Sequence, residues 1–235
     1  MPFKEIYSNT KGRYKLCCHA NPSEFKVEDY TPFDYFFSDQ IKDTRLKFLL
    51  NEKPKACDIC WKIEKLNGKS WRQIYNEMYG EKYKDIKISL KLQGIGTNFC
   101  NLSCYMCYPS NSSTKDNETK EIFTDNEIRK VWFGDKPTTV NFKRYNEIVE
   151  NMLKNIHHVN IIRLLGGEPL QLPKHWELLK RIPDKAAKNI RISYDTNLTS
   201  LTWKNYSLDW VRKKFKEVKL GISCDHFGKK LKYIR

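Results

Sequence analysis

Three cysteines within eight residues constrain this chain more than anything else in it. Cys100, Cys104 and Cys107 stand as C-x3-C-x2-C in NFCNLSCYMCYPS. Three thiolates on one short loop can hold three irons of a [4Fe–4S] cluster and leave the fourth iron open. A structural zinc site normally takes four protein ligands, and this loop offers three. Four further cysteines form a second group, Cys17 and Cys18 side by side and Cys57 and Cys60 as C-x-x-C. Four thiols suffice for a second cluster or for a zinc ion that only stabilises the fold. Adjacent Cys17 and Cys18 rarely serve one iron site equally; His19 is a substitute ligand beside them, though a surface imidazole is its plainer reading. Cys224 lies in a β-prone run and reads as a small buried hydrophobe.

Composition sets the compartment in which these thiols are read. The chain has 235 residues, 40% of them hydrophobic and 13% aromatic, enough for a packed core and too much for intrinsic disorder. No run approaches the ~20 apolar residues of a spanning helix, and the first residues lack the apolar stretch of a secretory signal. The expectation is therefore a cytoplasmic protein with no membrane partner, whose closely spaced thiols are ligands rather than disulfides. The formal net charge of +15 comes from lysines spread along the whole chain. A solvated basic surface explains it; attraction to nucleic acid has no motif behind it.

The spacing of apolar residues predicts helices over 38–51, 70–79, 141–156, 173–182 and 208–215. It predicts strands at about 86–95, 159–165, 189–194 and 218–224. Polar residues 109–120 read as a loop, and the aromatic stretch 30–37 as core. From residue 86 on, strand and helix alternate, which argues a parallel sheet with helices outside it. Polar groups beyond the carboxyl ends of such strands form sites. The cysteine loop, Gly166-Gly167-Glu168-Pro169, Asp195-Thr196-Asn197 and Asp225 all fall there.

These motifs, in this order over about residues 86–228, resemble the radical SAM superfamily. The resemblance implies an α/β fold, a partial (β/α) barrel. It appears here in shortened form, with four strands counted where six are usual, as in a fragment or a barrel completed by a partner or by the first block. The same likeness implies a [4Fe–4S] cluster on Cys100, Cys104 and Cys107 whose free iron binds S-adenosylmethionine (SAM). Cofactor contacts would come from Met106, Gly166, Gly167, Glu168, Pro169, Thr196, Asn197, Ser223 and Asp225, with the Glu168 carboxylate accepting from the SAM ammonium. Two departures stand out: Met106 takes the place of an aromatic residue, and Leu198 the place of the glycine in a T-N-G turn. Residues 1–85 resemble the auxiliary Fe–S modules of this superfamily, the SPASM and twitch types, here placed ahead of the 86–235 core. That would make Cys17, Cys18, Cys57 and Cys60 the ligands of a second cluster in a small cysteine-rich α+β module.

Two functions follow. One is an enzyme that cleaves SAM reductively to a 5′-deoxyadenosyl radical and modifies a peptide, protein or other macromolecule, fed by a flavodoxin- or ferredoxin-type donor. The other is a non-enzymatic zinc protein with a basic nucleic-acid-binding surface.

Overall fold

The structure, a computed structural model, describes residues 3–20, 25–79, 87–94, 97–133 and 142–234. Its centre is a six-stranded sheet in the order β2-β1-β3-β4-β5-β8. The strands are β1 (Glu5–Ser8), β2 (Tyr14–Lys15), β3 (Ile88–Gln93), β4 (Val159–Leu165), β5 (Arg191–Thr196) and β8 (Glu217–Ile222). Every pairing is parallel except β1 with β2. A two-stranded ribbon, β6 (Thr202–Trp203) with β7 (Tyr206–Ser207), lies apart.

The four expected strands are present as β3, β4, β5 and β8. The count of four is corrected to six, because residues 5–15 supply two more to the same sheet. Strands this short carry too few alternations to stand out in the sequence. Residues 86 and 95 of the expected first strand, residue 141 of an expected helix, and the 85/86 domain boundary lie outside the described residues.

Alternation divides the sheet's two faces. On one face Ile6, Leu90, Ile162 and Ile192 align strand to strand, all fully buried. The helices α1 (Pro32–Phe37), α7 (Phe142–Lys154) and α8 (Pro173–Arg181) add Phe33, Met152 and Trp176 to the same core. The opposite face carries Tyr7, Lys91, Arg163 and Ser193 in register, with Gln93 and Asp195 nearer the carboxyl ends. Polar side chains on that face leave it suited to a ligand rather than to a packed layer.

The remaining helices are α2 (Asp39–Leu49), α3 (Asp58–Lys65), α4 (Trp71–Tyr79), α5 (Ser113–Ile122), α6 (Asn126–Phe133), α9 (Asp184–Ala187), α10 (Leu208–Lys214) and α11 (Lys229–Ile234). The aromatic stretch at 30–37 forms α1, and Phe33, Tyr35 and Phe36 enter the core as expected. The expected loop at 109–120 is mostly helix. Ser112 caps α5 by accepting from the Lys115 N–H at 3.1 Å, which starts a helix in a sequence with no apolar stripe. No described helix is long and apolar enough to cross a membrane.

Candidate active site

The site begins where β3 ends. Residues 97–112 form the cysteine loop, and the first turn of α5 ties it down. The Cys100 carbonyl accepts from the Ser113 and Thr114 hydroxyls at 3.0 and 2.7 Å. The Ser112 hydroxyl donates to the Leu102 carbonyl at 2.6 Å, and the Asn98 amide to the Pro109 carbonyl at 2.7 Å. The Cys107 N–H closes a turn onto the Cys104 carbonyl at 2.9 Å.

The turn after β4 packs against this loop. Gly167 has φ +61°, and a Cβ there would stand 2.1 Å from the Phe99 carbonyl oxygen. Only glycine allows that approach. The next residue, Glu168, donates its N–H to the same carbonyl at 2.8 Å.

Strands β5 and β8 deliver the third and fourth sides. The Asn197 amide donates to Asn101 at 3.1 Å and reaches the Cys100 sulfur at 4.0 Å. Ser223 is tied to the end of β5 through its N–H and the Thr196 carbonyl, at 2.8 Å.

Together these segments line a cavity of about 250 Å3. Of the residues expected at the site, Cys100, Cys104, Cys107, Met106, Gly167, Thr196, Asn197 and Ser223 border it. Gly166, Glu168, Pro169 and Asp225 are not among the lining residues. Gly166 faces Gln93 and Thr10, and Pro169 is buried. Glu168 is 1% exposed. Its carboxylate accepts from the Leu170 N–H at 3.0 Å, the Thr196 hydroxyl at 2.6 Å and the Asn197 N–H at 2.7 Å. It is spent on its neighbours.

Asn111 and Asp195 also line the cavity. Both escaped selection from the sequence as cofactor-binding residues. Asp195 stood beside Thr196 at a strand's carboxyl end, which was signal enough; Asn111 carried none.

Burial pushes the Cys100 thiol up, the Leu102 N–H and Ser112 hydroxyl pull it down, and Glu168 and Cys104 push it up again. Burial, then Cys104 and Cys100, raise Cys107. Cys100 and Cys107 thus hold their protons more tightly than free thiols do, until a metal displaces them. A zinc ion draws its sulfurs to about 2.3 Å from one centre. Three thiols border the one cavity, and in a [4Fe–4S] cluster each iron takes one thiolate. The donor set fits a [4Fe–4S] cluster with an open iron.

Comparison with known families matches residues 95–232 to the Radical SAM superfamily, more than half of the chain. The chain belongs to the radical SAM superfamily. It is an enzyme, and membership implies the [4Fe–4S] cluster, SAM, a reductant and a substrate. No curated protein and no solved structure matches it.

The second cysteine group also meets in space. Cys17, just past β2, joins Cys57 and Cys60 of the 55–60 segment around a cavity of about 250 Å3. His19, Phe48, Trp71 and Tyr75 line it too, and the His19 ring stacks on Trp71 at 4.9 Å. Cys18 is not among the lining residues. Burial, with Cys17 and Cys60 beside it, pushes the Cys57 thiol up to about 12. Cys17 is raised by burial, against the pull of the His19 and Ala20 backbone. All eight cysteines are free, and Cys224 is exposed rather than buried as its sequence context suggested.

Proposed function

We propose that this radical SAM enzyme holds its cluster on Cys100, Cys104 and Cys107 and modifies a peptide, protein or other macromolecule. One observation carries the cluster assignment. Three thiols, the Gly167 turn and the ends of β5 and β8 border a single cavity. When bound and reduced, the cluster supplies the electron that cleaves the SAM sulfonium and so generates a 5′-deoxyadenosyl radical.

The chain's own residues position and enclose. Met106, Gly167, Thr196, Asn197 and Ser223 would hold SAM beside the cluster. Gly166, Glu168 and Pro169 shape the turn that brings Gly167 there. Asp225 follows β8 and would join once SAM is in place. A flavodoxin- or ferredoxin-type protein would deliver the electron, and a reducing cytoplasm would suit eight free thiols. The polar face bearing Tyr7, Lys91 and Arg163 is compatible with a polar segment of a macromolecule.

Replacing Cys100, Cys104 or Cys107 by Ala is expected to strip the cluster and abolish SAM cleavage. Normal iron content and normal cleavage in all three variants would overturn the assignment.

The N-terminal cavity supports an auxiliary Fe–S cluster on Cys17, Cys57 and Cys60, with Cys18 or His19 as the fourth ligand. A SPASM- or twitch-like origin for residues 1–85 agrees with a C-x-x-C that follows a helix. Changing both Cys57 and Cys60 to Ser should lower iron per chain while SAM binding persists. Unchanged iron with zinc present would assign these thiols to zinc.

A further inference from the structure

Glu168 cannot easily serve as the anion for SAM in this chain. Its carboxylate is buried and already accepts from Leu170, Thr196 and Asn197. Turning it into the cavity would leave two backbone N–H groups and a hydroxyl without their acceptor, and unpaired buried donors are costly. SAM carries a sulfonium and an ammonium beside one carboxylate, and a carboxylate in the cavity can meet a cationic group of it.

Asp195 is the only charged side chain among the described residues that line the cavity. Arg163, one strand over, grips it with a fork: Nε donates to Oδ2 at 3.0 Å, and Nη2 donates to Oδ1 at 3.0 Å and Oδ2 at 2.7 Å. A carboxylate has about four acceptor sites, so these contacts leave room for a donor on a ligand. Arg163 is not among the lining residues; a ligand in the cavity meets the carboxylate. The neighbouring strand also makes room for it. A Cβ on Gly221 would stand 2.6 Å from Asp195 Oδ1.

We infer that Asp195 supplies the negative charge that meets the cationic part of SAM, with Arg163 and Gly221 as its positioning residues and Glu168 as the clamp of the turns beside it. The inference rests on the cofactor reading above. It explains why a carboxylate precedes Thr196 at this strand end and why a glycine faces it from β8. Arg163 fixes the carboxylate before SAM arrives, so little order is lost on binding.

The test is calorimetric titration of SAM into the anaerobically reconstituted full chain, with iron content and melting temperature measured on each sample. Asp195→Asn keeps shape and removes charge. It should weaken SAM binding about tenfold or more, the scale of one charge-assisted hydrogen bond, at unchanged iron. Gly221→Ala, which displaces the carboxylate, should weaken SAM in the same direction. Glu168→Gln should lower the melting temperature more than Asp195→Asn does and weaken SAM less. If Asp195→Asn leaves Arg163 uncompensated and fails to fold, the Arg163→Met/Asp195→Asn double variant carries the same expectation.

SAM affinity within twofold of wild type in Asp195→Asn, or in the double variant, overturns the inference while the cofactor reading stands. So does a larger affinity loss in Glu168→Gln at wild-type melting temperature. A wild-type chain with full iron and no SAM binding overturns the cofactor reading, and the inference with it.

Discussion

Glu5 shows how a single side chain can work against the fold that contains it. It sits half-buried at the start of β1, with Oε1 enclosed and lacking a partner among the described residues. Burial raises its carboxyl above the ordinary value of 4.5, although Lys91, the chain's amino terminus and Arg163 pull the other way. The sign follows from the direction. Below 4.5 the group is protonated in both folded and unfolded chains and costs nothing. As pH rises past that value the unfolded chain ionises first, and the folded state loses ground. Glu5→Gln is therefore expected to raise the melting temperature at pH 7, and the gain should vanish by about pH 4. Thermal melts of both chains at the two pH values check this; an equal gain at both would place the effect in packing.

Other residues show what a sequence displays and what it hides. The cysteine triplet could be read directly, since spacing within one loop nearly fixes proximity. Glu168 could be placed in its turn but not assigned all its partners, because two of the three lie 28 and 29 residues away, at and just past the end of β5. Leu198 was visible as a departure from T-N-G. Its φ of +56° shows that the turn keeps the left-handed backbone that glycine normally takes. A side chain there costs roughly 1–2 kcal/mol, and Leu198 recovers part of it by packing against the core.

Elements divide in the same way. Strands β3, β4 and β5 each bury aliphatic residues, while β8 leaves Leu220 and Ile222 exposed; all four alternate in sequence and were foreseen within a few residues. The helix α5 was not, because Ser113–Ile122 is polar up to its last residue and its start depends on one capping side chain. That cap doubles as a tether. Ser112 accepts from the Lys115 N–H and donates to the Leu102 carbonyl inside the cysteine loop. Ser112→Ala should cost about 1–2 kcal/mol of stability and also lower cluster retention, since the loop loses an anchor. Denaturation with iron analysis on the same samples tests this. Lost stability with full iron would mean that α5 does not hold the loop.

At the scale of the whole molecule, residues from both ends of the sequence converge on one sheet. The strand β1 pairs with β3 from Glu5↔Ser89 through Ser8↔Leu92, although more than eighty positions separate them. Long-range pairing of this kind leaves no local trace, so the first block could be read as a separate module. Thr10, just after β1, then reaches the site's border and donates to Asn111 at 3.1 Å. The N-terminal segment that carries Cys17 is thus built into the sheet that carries the 97–112 cysteine loop.

The central claim is that Cys100, Cys104 and Cys107 hold a [4Fe–4S] cluster with one iron open to SAM. Electron paramagnetic resonance of the reduced chain, before and after adding SAM, tests it most directly. Cys57→Ser/Cys60→Ser protein gives the cleanest spectrum, free of any signal from the second group. The account predicts one [4Fe–4S]+ signal whose g-values shift when SAM is added. A full-strength signal unmoved by saturating SAM, or no iron–sulfur signal in a well-folded reconstituted chain, would contradict it.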